Sequence, residues 1–375
     1  MELSHKRFDE VFDLQLGRTP ARGVDKYWGG TNTWVSIADM GQSKFISSSK
    51  ECISDTALAE TGIPLVPKDV VIMSFKLSIG KVAITKRELY TNEAIMAFVP
   101  KPGAKILNDY LYYYLQGYKW DNSNNVVLGF TLNKKSISSS IISYPSLPEQ
   151  HRIVDILDKE FAKIDALKAN AEKSLQAAKN LFQATLKKEL EPKEGWEELA
   201  IPEVSENLDS KRVPITKSVR ENGQYPYYGA SGIVDYVADY IFDEPLLLVS
   251  EDGANLLARS TPIAFSVEGK VWVNNHSHVL RFDDYKKQKF VEYWFAGNDI
   301  SSLITGTAQP KFNQKALNSI KIAFPVKEQE MESILKRLDE MEEKSNALQE
   351  NYHKTLTLCD DLKQSLLRKA FSGEL

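Results

Sequence analysis

Four residues in the second half of the sequence could hold a metal ion. His276 and His278 lie two positions apart in an apparent strand, so their side chains should share one face. Glu251 and Asp252 follow the apolar run LLLVS, as acidic residues do at the strand ends of many hydrolases. No third histidine or cysteine and no further carboxylate stands at a suitable spacing near the histidines. Structural histidines and an acidic turn are therefore favoured, and a metal-dependent nuclease or hydrolase is the alternative.

The sequence motifs of common catalytic sites are absent. The chain has no GxxxxGK[ST] phosphate loop, no HExxH and no GxSxG. It also lacks a tetrapeptide similar to the Asn-Pro-Pro-Tyr of amino-methyltransferases. We therefore expect no catalytic activity and no bound cofactor in this chain itself.

The most extended pattern in the sequence is an internal repeat. Residues 132–150 can be laid over residues 312–329 at a nearly constant offset, and the match returns close to positions 186 and 367. Matched pairs include Asn133 and Asn313, Lys135 and Lys315, and Leu186 and Leu367. Such a repeat implies two similar halves, each a globular region followed by a long helix.

Each half ends in a long segment with a helical period, residues 149–190 and residues 326–375. Apolar or small residues recur there at alternating steps of three and four, which is a heptad pattern. Ser146 with Glu149 fits a capping box, and Pro192 marks the end of the first segment. We predict that the two helices pair antiparallel within one molecule as an intramolecular coiled coil. The predicted pairing residues are Leu157, Phe161, Ile164, Leu175, Phe182, Ile334, Leu338, Met341, Leu348, Leu362 and Leu366.

Length and composition limit the class of protein. A chain of 375 residues suits two or three domains, and 42% hydrophobic residues is a globular composition. No apolar run could span a membrane and the N-terminus has no signal-peptide core, so we expect a cytoplasmic protein. The distant Cys52 and Cys359 argue against a disulfide framework. With a net charge of −4, any nucleic-acid-binding face must come from local basic clusters or from partner subunits.

Two globular regions precede the helices, and both mix strand-like apolar runs with turn residues, so the predicted fold class is α+β. In the first region we predict strands at 34–40, 69–75 and 80–85 and a helix at 108–117. In the second we predict strands at 246–250, 262–267 and 270–282 and a helix at 288–296. A purely structural coiled-coil scaffold would not need such large globular regions.

The tandem layout resembles the specificity (S) subunits of type I restriction-modification systems. The segments that carry this resemblance are VFDLQLGRTP (11–20) with WVSIADM (34–40), SYPSLPEQHRIVDILD (143–158), GTAQPKFNQKALNSIKIAFP (306–325) and LLRKAFSGEL (366–375). The resemblance covers essentially the whole chain. It implies target recognition domain 1 at 1–148, helical spacer 1 at 149–190, target recognition domain 2 at 191–325 and helical spacer 2 at 326–375.

The resemblance also implies a mechanism without catalysis in this chain. Such a subunit binds an asymmetric, two-part site in double-stranded DNA, one part per domain. It recruits two methyltransferase (M) subunits, which methylate adenine N6, and restriction/translocase (R) subunits join them. S-adenosylmethionine, ATP and Mg are thus expected on the partner subunits, and no membrane is involved. Two helices of about 40 residues would span about 60 Å, or roughly 17 base pairs, and their length would set the gap between the two parts.

Candidate DNA contacts follow from residue type and loop context. Base recognition requires paired donors and acceptors, and phosphate contacts require cations or amides. The Gly-rich loop at residues 14–34 is either such a recognition surface or a solvated connection. In domain 1 the predicted contacts are Arg18, Arg22, Lys26 and Asn32, with Lys44 and Lys76 at phosphates. In domain 2 they are Lys211, Arg212, Tyr227, Tyr228, Ser231 and Lys311.

Overall fold

The computed structural model describes residues 2–41, 43–76, 78–120, 132–306 and 308–375. The chain divides into two compact units. The first unit comprises Met1–Asn170 and Thr355–Leu375, and the second comprises Ala171–Lys354. Each unit thus holds one globular domain, the beginning of the long helix that follows it, and the end of the other long helix.

The globular domain of the first unit is a mixed α/β domain. Its elements in chain order are β1 (Ser4–Arg7), α1 (Phe8–Val11), β2 (Phe12–Leu16), β3 (Trp28–Val35), β4 (Phe45–Ile46), β5 (Glu51–Ile53), α2 (Asp55–Thr61), β6 (Val71–Ser74), β7 (Val82–Thr85), β8 (Tyr90–Thr91), β9 (Ile95–Pro100), α3 (Asn108–Gly117), α4 (Lys134–Ser139) and β10 (Ile141–Tyr144). The long helix α5 (Leu147–Glu189) follows.

Three sheets build this domain. The largest has the strand order β2-β9-β6-β7-β4, the second the order β5-β3-β8, and β1 pairs with β10. Strands β6 and β7 are buried along their whole length, because both faces of their sheet are covered. The apolar core between the large sheet, α3 and the long helices includes Phe8, Phe98 and Leu111. The smaller β5-β3-β8 sheet has its own apolar cluster, which includes Trp34 and Ile53 and packs against α2 through Ala57.

The second unit repeats this plan. After α5 its elements are β11 (Trp196–Ala200), α6 (Ile201–Val204), β12 (Glu206–Asn207), β13 (Asn222–Gly229), β14 (Gly232–Val237), β15 (Phe242–Asp243), β16 (Leu246–Ser250), α7 (Asn255–Ala258), β17 (Ala264–Val267), β18 (Lys270–Val273), β19 (Ser277–Arg281), α8 (Tyr285–Gly297), α9 (Gln314–Asn318), β20 (Lys321–Pro325) and α10 (Glu328–Ser372). The sheets have the orders β12-β19-β16-β17, β14-β13-β18-β15 and β11-β20.

The sequence repeat corresponds to a structural repeat. Asn133 caps α4 by accepting a hydrogen bond from the backbone of Ser136, and Asn313 caps α9 in the same way. One turn later, Ile137 and Leu317 are both fully buried. The strand behind each of these helices pairs antiparallel with the first strand of its own domain, β10 with β1 and β20 with β11. The repeated residues therefore close each domain and lead directly into a long helix.

Within the first unit, the beginning of α5 runs antiparallel to the end of α10. Lys168 pairs with Asp360 at 2.8 Å, and three residues earlier Asp165 pairs with Lys363. Residue numbers therefore fall along α10 as they rise along α5. Leu157 is fully buried in this unit. Among the described residues, neither long helix nor any other is apolar enough to cross a membrane.

Within the second unit, the end of α5 and the beginning of α10 are also antiparallel. Arg337 pairs with Glu189 at 2.6 Å, and the Ser345 hydroxyl donates to the carbonyl oxygen of Ala178 at 3.4 Å. Small residues at this contact allow the helices to approach closely. The predicted antiparallel coiled coil within one molecule is thus confirmed in both units.

Most predicted pairing residues are buried or half-buried, and two are not. Leu157, Phe161, Ile164, Ile334 and Leu338 are buried, and Leu175, Phe182, Met341 and Leu366 are half-buried. Leu348 and Leu362 are 42% and 48% exposed, so their assignment to the pairing face stays a prediction that this exposure disfavours. The buried positions at the far ends are instead Leu186 in α5 and Leu367 in α10, which pack into the domain cores.

Secondary structure agrees with the sequence expectation where the signal is local. The helix predicted at 108–117 is observed as Asn108–Gly117, and the strand predicted at 246–250 as Leu246–Ser250. The strand predicted at 34–40 ends at Val35, because Asp39 accepts hydrogen bonds from Ser36 and forms a turn. The strand predicted at 270–282 is two strands, because the Asn274 side chain accepts from the backbone of His276.

Candidate nucleic-acid interface

Four predicted DNA contacts between residues 18 and 32 contact one segment of the first unit, residues 51–61. This segment comprises β5 and α2. Arg22 pairs with Glu51, Lys26 with Glu60, Asn32 with Asp55, and Arg18 contacts the carbonyl oxygen of Thr61. These contacts fix the loop against the β5-β3-β8 sheet. The structure therefore brings four of the six residues chosen for domain 1 onto one face.

Arg22 is the most constrained of these side chains. Its guanidinium lies 4.0 Å from the ring centroid of Trp28 and 5.1 Å from that of Trp34. Trp34 is 1% exposed, and its indole nitrogen donates to the carbonyl oxygen of Arg18 at 3.0 Å. The hydrogen bond from Arg22 lowers the pKa of Glu51, so this carboxylate is ionised at neutral pH. Cation–π contact and ion pair together hold Arg22 in one orientation.

Lys26 belongs to a second ion pair on the same face. Its ammonium contacts both oxygens of Glu60 at 2.7 Å, and the Tyr27 hydroxyl donates to the same carboxylate at 2.7 Å. Hydrogen bonds from Lys26 and Tyr27 lower the pKa of Glu60. Because Arg22 and Lys26 have carboxylate partners, the face is not strongly basic by itself. A phosphate would have to compete with these carboxylates.

The two lysines predicted to contact phosphates in domain 1 have different environments. Lys44 is only 18% exposed and bridges Asp109 and Asp158, each at 2.8 Å. Two carboxylates already pair with it, which disfavours a phosphate contact, and this role stays a prediction. Lys76 is half-buried, and its ammonium lies 5.5 Å from the ring centroid of Phe75. Its role as a phosphate contact stays a prediction.

In the second unit, three of the predicted contacts are exposed. Lys211 follows β12, Ser231 lies at the tip of the β13–β14 hairpin, and Lys311 precedes α9. The backbone of Lys311 forms bridges with Thr305 and Asp252, which fix this part of the loop. These three side chains stay candidates for DNA contacts.

The two tyrosines predicted as DNA contacts in the second unit both pack against the domain interior. Tyr227 is 1% exposed, and its hydroxyl accepts from the backbone of Ile215 at 2.9 Å. Tyr228 is half-buried and packs on Phe265 with ring centroids 5.9 Å apart. Burial of the Tyr227 ring disfavours stacking on a base, and the role of both tyrosines as DNA contacts stays a prediction. The sequence pattern of aromatics beside glycine already favoured core packing.

Arg212 is also committed inside the domain. It is 13% exposed, contacts Glu251 at 2.6 Å and Asp209 at 3.4 Å, and donates to the carbonyl oxygen of Ser277 at 2.6 Å. Burial opposes ionisation of Asp209, but the hydrogen bond from His278 and the nearby positive charges outweigh it and lower the pKa. Arg212 therefore completes a charge network inside the domain, and its role as a DNA contact stays a prediction that these partners disfavour.

The histidines do not form a metal site with the two acidic residues predicted for it. His276 is exposed and faces Asp252 at 2.9 Å, whereas His278 is 1% exposed and lies 2.6 Å from Asp209. Asp209, Glu251 and His278 have ligand atoms within 4.8 Å of one another. Both ring nitrogens of His278 already have hydrogen-bond partners, however. Nδ1 lies 2.6 Å from the Asp209 carboxylate, and Nε2 lies 2.8 Å from the carbonyl oxygen of Phe312.

The guanidinium of Arg212 also occupies the position where a cation would bind the two carboxylates. Each carboxylate already has a positive partner, and a metal ion would lie beside a like charge. The cluster is therefore a structural network that joins β19 to the segment before β13. The favoured interpretation of structural histidines agrees with this geometry.

Sequence reasoning missed several residues of the candidate interface. Glu51 and the tryptophans around Arg22 were not identified, because these positions lie far apart in the chain. Arg220, whose guanidinium is 4.4 Å from the ring centroid of Tyr227, was also missed, as was its partner Asp235 at 3.0 Å. Trp34 and Tyr227 occupy equivalent positions in strands of the same topology, but this equivalence is visible only in the strand pairing and not in the sequence repeat.

The sequence and the fold of this chain are similar to those of known proteins. A family model described as the type I restriction modification DNA specificity domain matches residues 2–177 and again residues 193–357. The specificity subunit of the type I restriction enzyme MjaIX from Methanocaldococcus jannaschii is 23% identical, over 99% of this chain and 93% of that protein.

Two solved structures share the fold. One, from a study of complex assembly and conformational transition in a type I R-M system, matches with a TM-score of 0.75 and 15% identity. It covers 100% of this chain and 98% of its own. The crystal structure of the HsdS subunit from Thermoanaerobacter tengcongensis has a TM-score of 0.54 and 15% identity, over 100% of this chain and 97% of its own.

Proposed function

We propose the function of this chain from the family to which it belongs. The chain is a member of the type I restriction modification DNA specificity family. It is the DNA sequence-recognition subunit of a type I restriction-modification complex and binds a bipartite, asymmetric DNA site. The observation that carries this function is that the family model matches twice, once in each half of the chain. Two domains with one scaffold and different surface residues suit a site with two different parts.

In this proposal the chain contributes recognition and assembly, and its partners contribute the chemistry. Two methyltransferase subunits bind it and transfer methyl groups from S-adenosylmethionine to adenine. Restriction subunits bind ATP and Mg and join the complex. The commitment of His278 and Arg212 to a buried network supports a chain without its own hydrolytic site.

Reconstitution of methyl transfer tests the proposal. We expect the purified chain alone to leave labelled S-adenosylmethionine unused on a random DNA library, and the methyltransferase subunit of the same system to do the same. The mixture should methylate adenines within one bipartite motif. Methylation or cleavage of DNA by the isolated chain would overturn the proposal.

A substitution of Asp252, one of the residues first considered as a metal ligand, distinguishes a specificity subunit from a metal-dependent hydrolase. Asp252→Asn removes a carboxylate that faces only an exposed histidine, His276. A metal-dependent hydrolase would lose turnover in this variant. The specificity-subunit proposal expects the reconstituted complex to methylate the same motif at an unchanged rate, because asparagine has nearly the same shape and the His276 partner is 47% exposed.

A further inference from the structure

The contacts of Arg22 with Glu51, Trp28 and Trp34 leave one edge of its guanidinium exposed. Nη1 contacts Oε1 of Glu51, and Nη2 lies 3.0 Å from Oε2, so Glu51 occupies the end of the fork. The rings of Trp28 and Trp34 cover one face. The Nε–H and the second Nη2 hydrogen have no acceptor in the described part of the chain. The side chain remains 56% exposed despite these contacts.

The same arrangement recurs at the equivalent place in the second unit. Trp34 is the cross-strand neighbour of Glu51, and Tyr227 is the cross-strand neighbour of Asp235. Both aromatic side chains are 1% exposed, and each lies beneath an arginine from the preceding loop. Both strands also pair in parallel with a later strand at this aromatic residue. The fold thus places an arginine, an aromatic ring and a carboxylate at one site in each domain.

The two copies differ in what they leave available. In the second unit, Nε of Arg220 donates to the carbonyl oxygen of Ile215 at 3.0 Å, and the side chain is only 17% exposed. Its side edge is therefore used to hold the loop. In the first unit the corresponding edge of Arg22 is free and faces solvent. Only the first copy can offer a fixed pair of donors to a ligand.

We infer that Arg22 reads a guanine in the half-site bound by the first unit, an inference that rests on the proposed function. Guanine presents the O6 and N7 acceptors side by side in the major groove, and an arginine edge matches them with two parallel hydrogen bonds. Stacking and the ion pair orient this edge before DNA arrives, which reduces the entropy lost on binding.

Glu51 argues for a base rather than a phosphate as the ligand. A carboxylate held against Arg22 repels a phosphate, whereas the guanine edge carries no net charge. The same carboxylate can accept a hydrogen bond from N4 of the cytosine in the same base pair. Glu51 is thus a positioning residue for Arg22 and contributes to the preference for a G·C pair.

Binding of a duplex panel to the reconstituted complex tests the inference. Each duplex carries one base-pair change within the motif that the wild-type complex methylates. The wild type should discriminate about 10- to 100-fold at one G·C position of one half-site, and Arg22→Ala should reduce that factor to nearly one. Discrimination at every other position should be unchanged. Uniform weakening across all duplexes would mean a phosphate contact and would overturn the inference.

Two further variants secure the outcome. Arg22→Lys keeps the positive charge but has no fork, so it should relax the same position, and retained discrimination would contradict base reading. Arg220→Ala should lower stability without relaxing any single position, and relaxation there would contradict the argument from the free edge. If the wild-type complex binds all duplexes equally, the proposed function is wrong. If the wild type discriminates but Arg22→Ala leaves that discrimination unchanged, only the inference about Arg22 is wrong.

Discussion

Replacing Leu338 by alanine should lower the free energy of unfolding by about 3 kcal/mol, because the side chain is fully buried in the second unit and leaves a cavity. Leu338 lies on α10 and packs into the apolar core of the second unit, which also contains Leu186 of α5. The matched control is Leu348→Ala on the same helix, where the side chain is 42% exposed. That change should stay within about 0.5 kcal/mol, because it creates no cavity and alanine favours helix.

Urea unfolding of the two variants and the wild type, followed by circular dichroism, measures the difference. Both positions belong to the heptad pattern of the sequence. Comparing the two variants therefore distinguishes the effect of heptad position from the effect of observed burial. Equal destabilisation by the two substitutions would mean that Leu348 does contribute to the pairing face. The structural assignment of the seam would then be wrong.

Replacing Arg212 by alanine should also lower the free energy of unfolding by about 3 kcal/mol, because it leaves the nearly buried Asp209 and the partly exposed Glu251 without the guanidinium that pairs with both. Asp209 is 9% exposed and Glu251 is 29% exposed. The matched control is Arg281→Ala, which removes surface ion pairs of a side chain that is 39% exposed and should change the free energy of unfolding little.

Urea midpoints of both arginine variants at neutral and acid pH measure these costs. The pKa of Asp209 is lowered in the folded chain, so its ionised form stabilises the fold above its unfolded pKa. That contribution is lost as the pH falls through the folded pKa. The difference between wild type and Arg212→Ala should therefore narrow in acid. Equal costs for the two arginine variants at neutral pH would contradict a buried network.

Structure decided by a few neighbouring residues could be predicted from the sequence. Helix α3 was predicted with its observed bounds, and Asn133 and Asn313 belong to a repeat whose physical reason is now visible as helix capping. The two-domain layout with paired helices followed from the repeat, because matching seams in one chain can bury each other.

The course of the helix seam could be predicted only in part. A strict heptad repeat drifts by about 20° per seven residues from a straight helix, so positions chosen over many turns leave the contact face. This explains the exposure of Leu348 and Leu362. At the end of α10, Leu367 faces the domain core instead of a partner helix.

The availability of basic residues for DNA could not be read from the sequence. Lys44 is neutralised by Asp158, far along the chain, and Arg212 by Glu251. Charge type and loop context identified Arg22, but they could not show which partners hold it. Such pairs depend on strand register and loop position, which only the folded chain supplies.

The most direct test of the central claim is methylome sequencing of the source cell with and without this chain. A DNA specificity subunit predicts one bipartite motif with methylated adenines in the wild-type cell. This motif should lose its methylation completely when the chain is deleted and regain it when the chain is restored. An unchanged set of methylated motifs after deletion would contradict the account.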